Sequence, residues 1–233
     1  PVHGGHHSEK ISNYRASGHG QVITDIAVRN GYEDIVFLDD DENIKECAGF
    51  PVVGKSCEAT RMLGDKIVAI GNAKIREKIQ EKLNDVVTLI RPDVAISRRV
   101  KIGNGCVAMA GAVINSDTVI GKGCMINTGA SVDHDCRVGD YSHVSVGAHV
   151  AGTVEIGSGT WIGAGATISN NVNICSDCMI GAGAVVIKDI KIPGTYIGVS
   201  AEDKMSKTKL TMGDISTRIA EEHVLSLQHR RAA

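Results

Sequence analysis

The chain has 233 residues, with 25 Lys plus Arg against 27 Asp plus Glu, so its formal charge is −2. That balance offers no basic face to nucleic acid or an anionic membrane, and 1 Trp, 4 Tyr and 2 Phe leave little for base stacking. No apolar run approaches the roughly 20 residues of a membrane span, and Pro1 to His7 lacks a signal-peptide core, so a cytoplasmic protein of one or two domains is expected.

Seven cysteines, an odd number spread through the chain, point to reduced thiols rather than bridges or a zinc site. His3, His6 and His7 read as a flexible end, not as metal ligands.

The amino-terminal part alternates strand and helix signals. Ser8 to Arg15 occupies the place of a strand ahead of a glycine turn, yet it is too polar for a central parallel strand. Ser17-Gly18-His19-Gly20 leads into a helix from Gln21 to Asn30, with Val22, Ile23, Ile26 and Ala27 at helical spacing and Asn30-Gly31 as its stop. A buried strand, Ile35 to Leu38, runs into Asp39-Asp40-Asp41. A second, Lys66 to Ile70, runs into Gly71-Asn72 and a helix from Ala73 to about Asn84 striped by Ile75, Ile79 and Leu83. Val86 to Ile90 reads as another strand, ended by Arg91-Pro92.

The alternation predicts a small Rossmann-like α/β domain over residues 1–95. Ligands of such sheets sit at the carboxy ends of the strands, which gathers Ser17, Gly18 and His19, Asp39 and Asp40, and Gly71 and Asn72 around one crevice. SGHG falls short of the full GxGxxG fingerprint. An acidic residue closing the second strand suits a ribose hydroxyl or a uracil N–H better than a phosphate.

From Ile96 onward the pattern changes. Ile or Val recurs every six residues through Ile192, broken only at Ala108, and the residue four places after each is small or β-branched, as at Cys106, Ala112, Thr118, Cys124 and Ala130. Fifteen of the 27 glycines lie within this stretch. Neither a helix nor a hairpin sheet has a period of six. Short flat strands with one branched side chain inward, joined by tight turns three to a coil, do. The repeat therefore predicts a parallel β-helix of slightly over five 18-residue coils across residues 96–200, with Cys106, Cys124, Cys136 and Cys178 as core residues. Residues 201–233 form a tail, helical in pattern from Ile215 to Leu227.

The segments ASGHGQVITDIA, GYEDIVFLDDD, AIGNAKIREKI, INTGASVDHDC and SHVSVGAHVAG, in that order, resemble the nucleotide-sugar acetyltransferases of bacterial glycan synthesis. The resemblance is strongest to UDP-4-amino-sugar N-acetyltransferases of the bacillosamine pathway and extends more distantly to sialic acid O-acetyltransferases. It implies a left-handed parallel β-helix, a homotrimer, a UDP-sugar substrate bound partly through Asn127, and transfer of acetyl from acetyl-CoA to the sugar 4-amino group without a metal.

Such a transfer needs a base for the amine proton and a dipole for the oxyanion. His134 sits at a turn between Asp133 and Asp135, and an imidazole of ordinary pKa suits the base. The resemblance assigns it that role, although close relatives carry Glu where this chain has Asp135. One coil is 18 residues, so Gly152 stacks over His134, where its N–H can face the thioester carbonyl. The resemblance places His143, read here at a corner of the coil, near the thioester sulfur. It lays acetyl-CoA along Gly163, Ala164 and Ala182, with Ile187 near the adenine.

Other readings remain open from the residues. O-acetylation of a sialic acid or related sugar would use the same histidine. A zinc lyase is disfavoured because His143 and His149 hold equivalent places in consecutive hexads and point from different sides of the coil. A non-catalytic trimeric binding protein with an eroded site would account for the polar first strand.

Overall fold

The computed structural model describes residues 10–199 and the backbone of 202–203. The amino-terminal histidines and the helix expected over Ile215–Leu227 lie outside the described residues. A Rossmann-like α/β domain packs against one face of a parallel β-helix.

The amino-terminal domain is built from β1 (Lys10–Tyr14), α1 (Gly18–Arg29), β2 (Asp34–Leu38), β3 (Glu46–Cys47), β4 (Phe50–Gly54), β5 (Asp65–Val68) and α2 (Ala73–Gln80). Its sheet order is β3-β4-β2-β1-β5, with only the β3–β4 pair antiparallel. The polar stretch is thus an interior parallel strand, against expectation: β1 pairs in parallel with β2 on one side and β5 on the other. Ile11 and Tyr14 supply its apolar packing, while Asn13 is held by donation from Nδ2 to the Gly20 carbonyl at 3.2 Å, which ties strand to helix. A buried polar side chain is tolerated where it finds such a partner.

The turn from β1 to α1 explains the SGHG run. Ser17 caps the helix, its Oγ accepting from the Gly20 N–H, so the helix begins at Gly18, three residues earlier than the apolar pattern indicates. A Cβ on Gly20 would lie 2.4 Å from the Arg15 carbonyl oxygen, so only glycine fits there. Arg15 itself takes φ 82°, in the region glycine favours.

Two further expectations are corrected. Helix α2 ends at Gln80, and the side chains it buries most are Arg76 and Gln80; Ile75 is 46% exposed. Ile79 and Leu83 pack with Tyr14, Leu38 and Val68 on one side of the sheet, while the polar edge of the helix faces the β-helix. Val86 makes only an isolated bridge to Lys66, and Leu89–Ile90 pairs with Val107–Ala108 as a rung of the β-helix. Arg91-Pro92 therefore lies in a hexad turn, and the repeat begins one rung before Ile96.

Among the described residues the β-helix has three sheets of eight, six and five strands. The first carries Met125, His143 and Trp161 outward, the second Ser131 and His149, and the third Arg137 and Glu155. The six-residue row of Ile and Val is buried inside, as are the small partners at Cys106, Cys124, Cys136, Ser142, Thr160 and Cys178. Polar members of the inner row are satisfied by one recurring contact: Thr118 Oγ1, Cys124 Sγ, Cys136 Sγ, Ser142 Oγ and Thr160 Oγ1 each donate to the carbonyl 15 residues ahead.

The row ends at Val186. Ile192 is 68% exposed, and Ile190 takes the inner place by pairing with Ile174. Ile180 likewise pairs with Tyr196, so the last coil is two residues shorter than the rest.

The two parts share a core. Ile23, Ile26 and Ala27 of α1 pack with Leu89, Val107, Met109 and Met125 of the first sheet.

Candidate active site

The predicted residues gather into three groups. The first surrounds His134, in the turn between the second and third sheets. Its Nδ1 lies 2.8 Å from Asp135 Oδ2, and its backbone N–H donates to Asp133 Oδ1 at 2.8 Å. Asp135 itself turns the chain at φ 58°, as other hexad-turn residues such as Asp117 and Thr153 do. With Nδ1–H given to a carboxylate, Nε2 is left as the basic nitrogen. The hydrogen bond to Asp135, and then the charge of Asp133, raise the imidazole pKa above its ordinary value. Gly152 stacks on this ring as the 18-residue arithmetic requires: a Cβ there would lie 2.7 Å from both Cε1 and Nε2.

The second group lies where α1 meets the first sheet. His143 is a strand residue on a flat face, not a corner residue, and only 4% of it is exposed. Its Nε2 lies 3.1 Å from Asn127 Nδ2, while Asn127 Oδ1 accepts from the Thr128 N–H. Asn127 is thereby the donor, and the His143 proton sits on Nδ1, which is buried without a partner among the described residues. Trp161 packs on the ring at 4.3 Å between centroids, and His19 stands at 5.8 Å. His19 Nε2 also meets Met125 Sδ at 3.0 Å. Burial and the charge of Arg76 lower both imidazole pKa values, that of His143 to about 3.

Around this group stand the carboxy ends of the sheet. Gly71 packs against Trp161, and Asn72 caps α2 by accepting from the Ile75 N–H. Ser17 and Gly18 sit at the amino end of α1. The Asp39 carboxylate is engaged by the N–H groups of Ala16 and Asp41, which makes it a brace for the loop. Asp40 accepts from the Ser56 N–H and lines a cavity of about 550 Å³ with Tyr14, Lys78 and Lys82, separate from the one lined by Gly71, Asn72 and Trp161, so the expected single crevice is divided.

The third group is a column on the corner between the first and second sheets. Val146, Ala164 and Ala182 stack at 18-residue intervals with exposed side chains. Gly147, Gly165 and Gly183 follow them at positive φ, with open space where a Cβ would point. A slender chain could lie along this backbone. Gly163 is inward of the column, where a Cβ would strike the backbone of Ile180 to Ala182; Ile187, 49% exposed, lies off this column, on the corner between the second and third sheets that also carries His134.

Sequence reasoning missed Arg76, whose signal is only its place beside an apolar stripe. It also missed the Cys175-Ser-Asp-Cys178 pair, legible from spacing alone, whose sulfurs lie 3.5 Å apart. No group able to hold a metal occurs among the described residues, and none of their helices is long and apolar enough to cross a membrane.

Comparison with known proteins gives this architecture a family. Residues 14–83 match the PglD N-terminal domain, and residues 153–188 match the bacterial transferase hexapeptide (six repeats) family. The acetyltransferase domain of PglB from Neisseria gonorrhoeae is 38% identical, with a TM-score of 0.81 over 84% of this chain and 100% of that one. The chain belongs to the hexapeptide-repeat sugar acetyltransferases with a PglD-type amino-terminal domain. A second structure of the same PglB domain holds acetyl coenzyme A. PerB from Caulobacter crescentus, solved with CoA and GDP-perosamine, is 33% identical with a TM-score of 0.78, over 84% of this chain and 97% of that one. WeeI from Acinetobacter baumannii is 27% identical with a TM-score of 0.74, over 83% and 98%. As a member of this family the chain is an acyltransferase that uses acetyl-CoA.

Proposed function

We propose that the protein transfers the acetyl group of acetyl-CoA to the 4-amino group of a UDP-linked amino-deoxysugar, with His134 as general base. The observation that carries this reading is the His134 ring, oriented by Asp135 through Nδ1, with Nε2 free over Gly152. The amine nitrogen attacks the thioester carbonyl as its proton passes to Nε2. The C–S bond then breaks, and the proton leaves with the CoA thiolate. Asp133 and Asp135 stabilise the imidazolium formed on the way. The Gly152 N–H serves the oxyanion, and the Val146, Ala164 and Ala182 column takes the pantetheine arm. The UDP-sugar is assigned to the side of the α/β domain bearing His19, Asp40, Gly71 and Asn72, with Asn127 of the β-helix.

His134 and His143 are nine residues apart in an 18-residue coil, so the turn bearing one lies opposite the sheet bearing the other. A site containing both is therefore shared by two copies of the chain, which supports the homotrimer.

The experiment is thiol release from acetyl-CoA with UDP-4-amino-4,6-dideoxy-N-acetylglucosamine, GDP-perosamine, and free or CMP-linked sialic acid. Turnover with the UDP-amino sugar is expected, and His134→Ala lowers it by about 10² to 10⁴-fold. Turnover confined to GDP-perosamine or to sialic acid would replace the acceptor named here.

A further inference from the structure

Arg76 is wholly buried and, among the described residues, has no carboxylate partner. Its guanidinium instead spans both domains: Nε donates to the Gly123 carbonyl at 2.7 Å and Nη2 to that of Tyr141, while Nη1 donates to Ile70 at 2.7 Å and Gly71 at 2.8 Å. Ile70 and Gly71 form the loop after β5. Gly123 and Tyr141 lie in consecutive coils, each two residues before a side chain of the interdomain group, Met125 and His143. One side chain thus holds the loop packed on Trp161 and the strands that carry His19's sulfur partner and His143.

We propose that Arg76 is a positioning residue for acetyl transfer, locking the Gly71 loop and the His143 strand into one register around the acceptor. A fork of planar donors bonded to four carbonyls fixes distance and direction together, which a lysine ammonium does not. A buried lone cation is costly unless its donors are met, and here four carbonyls meet them.

The same charge adds to burial in keeping the two imidazoles neutral. Facing the guanidinium are the four carbonyls, the thiols of Cys106 and Cys124 and the Tyr141 phenol; facing His143 are His19, Asn127 and Trp161. Glu81 is committed to the Tyr141 hydroxyl at 2.6 Å and to Lys122, and Glu77 and Asp140 act on Tyr141 and Lys122. Among the described residues no carboxylate contacts Arg76, and burial together with the Arg76 charge keeps His143 neutral with its proton on Nδ1.

Only the kinetic arm of the test rests on acetyl transfer to an amino sugar; the imidazole titration stands without it. In the full-length wild-type protein, the His143 ring followed by NMR should show no protonation from pH 7.5 down to 5. Arg76→Met removes charge and fork but leaves the burial, so the His143 titration should move upward from its wild-type position without reaching neutrality. Arg76→Lys keeps the charge and loses the fork, so His143 should remain silent. In both folded variants kcat should fall about 10 to 10²-fold, with KM for acetyl-CoA within about twofold, because the exposed column is on another corner. A purely structural arginine would lower the melting temperature and leave kcat of the folded fraction unchanged. That result, or protonation of wild-type His143 near pH 6.5, overturns the proposal even if Arg76→Met does not fold.

Discussion

Gly152 lies so close against the imidazole of His134 that a single added methyl would come within 2.7 Å of its basic nitrogen. The φ of Gly152 is not in the positive region, so alanine meets no backbone barrier there and the whole effect falls on the ring. Gly152→Ala should displace His134 from Asp135 and reduce kcat about 10² to 10³-fold, the range for losing one preorganised polar element. The melting temperature should stay close to that of the wild type. Wild-type kcat in this variant would show that the ring can move without consequence.

Asp135 governs the pH dependence. His134 works as a base only when neutral, and its pKa is raised first by the Asp135 hydrogen bond and then by Asp133. Activity is therefore full above that raised pKa and falls as pH drops through it. Asp135→Asn lowers the pKa, so the acidic limb of kcat/KM should move to lower pH, while the plateau falls about tenfold or more because the ring loses its orientation. A limb that stays in place would exclude His134 as the titrating group.

Thr118 tests the inner row. Its Oγ1 donates to the Asp133 carbonyl at 2.6 Å and accepts from the Cys136 N–H at 3.2 Å. Thr118→Val keeps the shape and leaves both backbone groups without that partner, so it should destabilise the β-helix by about 1–3 kcal/mol. Denaturant titration measures this directly, and an unchanged midpoint would mean the coil relaxes at no cost.

Arg15 occupies a glycine-like conformation, φ 82°, between β1 and α1. Left-handed backbone costs a non-glycine residue about 1–2 kcal/mol, part of which glycine loses again in the unfolded chain. Arg15→Gly should stabilise the amino-terminal domain by roughly 0.5–1 kcal/mol on balance. A lower melting temperature would show that the arginine side chain makes a compensating contact.

The β-helix was legible almost residue by residue, because a period of six leaves one physical solution and each inner side chain is fixed by its number. The same periodicity located Gly152 against His134. The amino-terminal domain was harder to read. Its polar interior strand conceals itself, since Asn13 is paired with the Gly20 carbonyl rather than with water, a tertiary fact absent from local pattern. Helix α2 misled for the opposite reason: its apolar stripe is real, but Arg76 and Gln80 on the adjoining edge are the residues that meet the β-helix. His143 reads as a corner residue because the repeat fixes only the inward residue; that its side chain is covered depends on where α1 docks.

The shortened final coil bears on assembly. A solenoid of uniform coils ends in a row of unpaired backbone groups on which another molecule could continue the stack. Here Ile190 and Tyr196 enter two residues early, and the chain then reverses so that Tyr196 pairs antiparallel with Asp203. The register that an incoming coil would need is no longer offered, so the molecule carries its own terminator against end-to-end polymerisation.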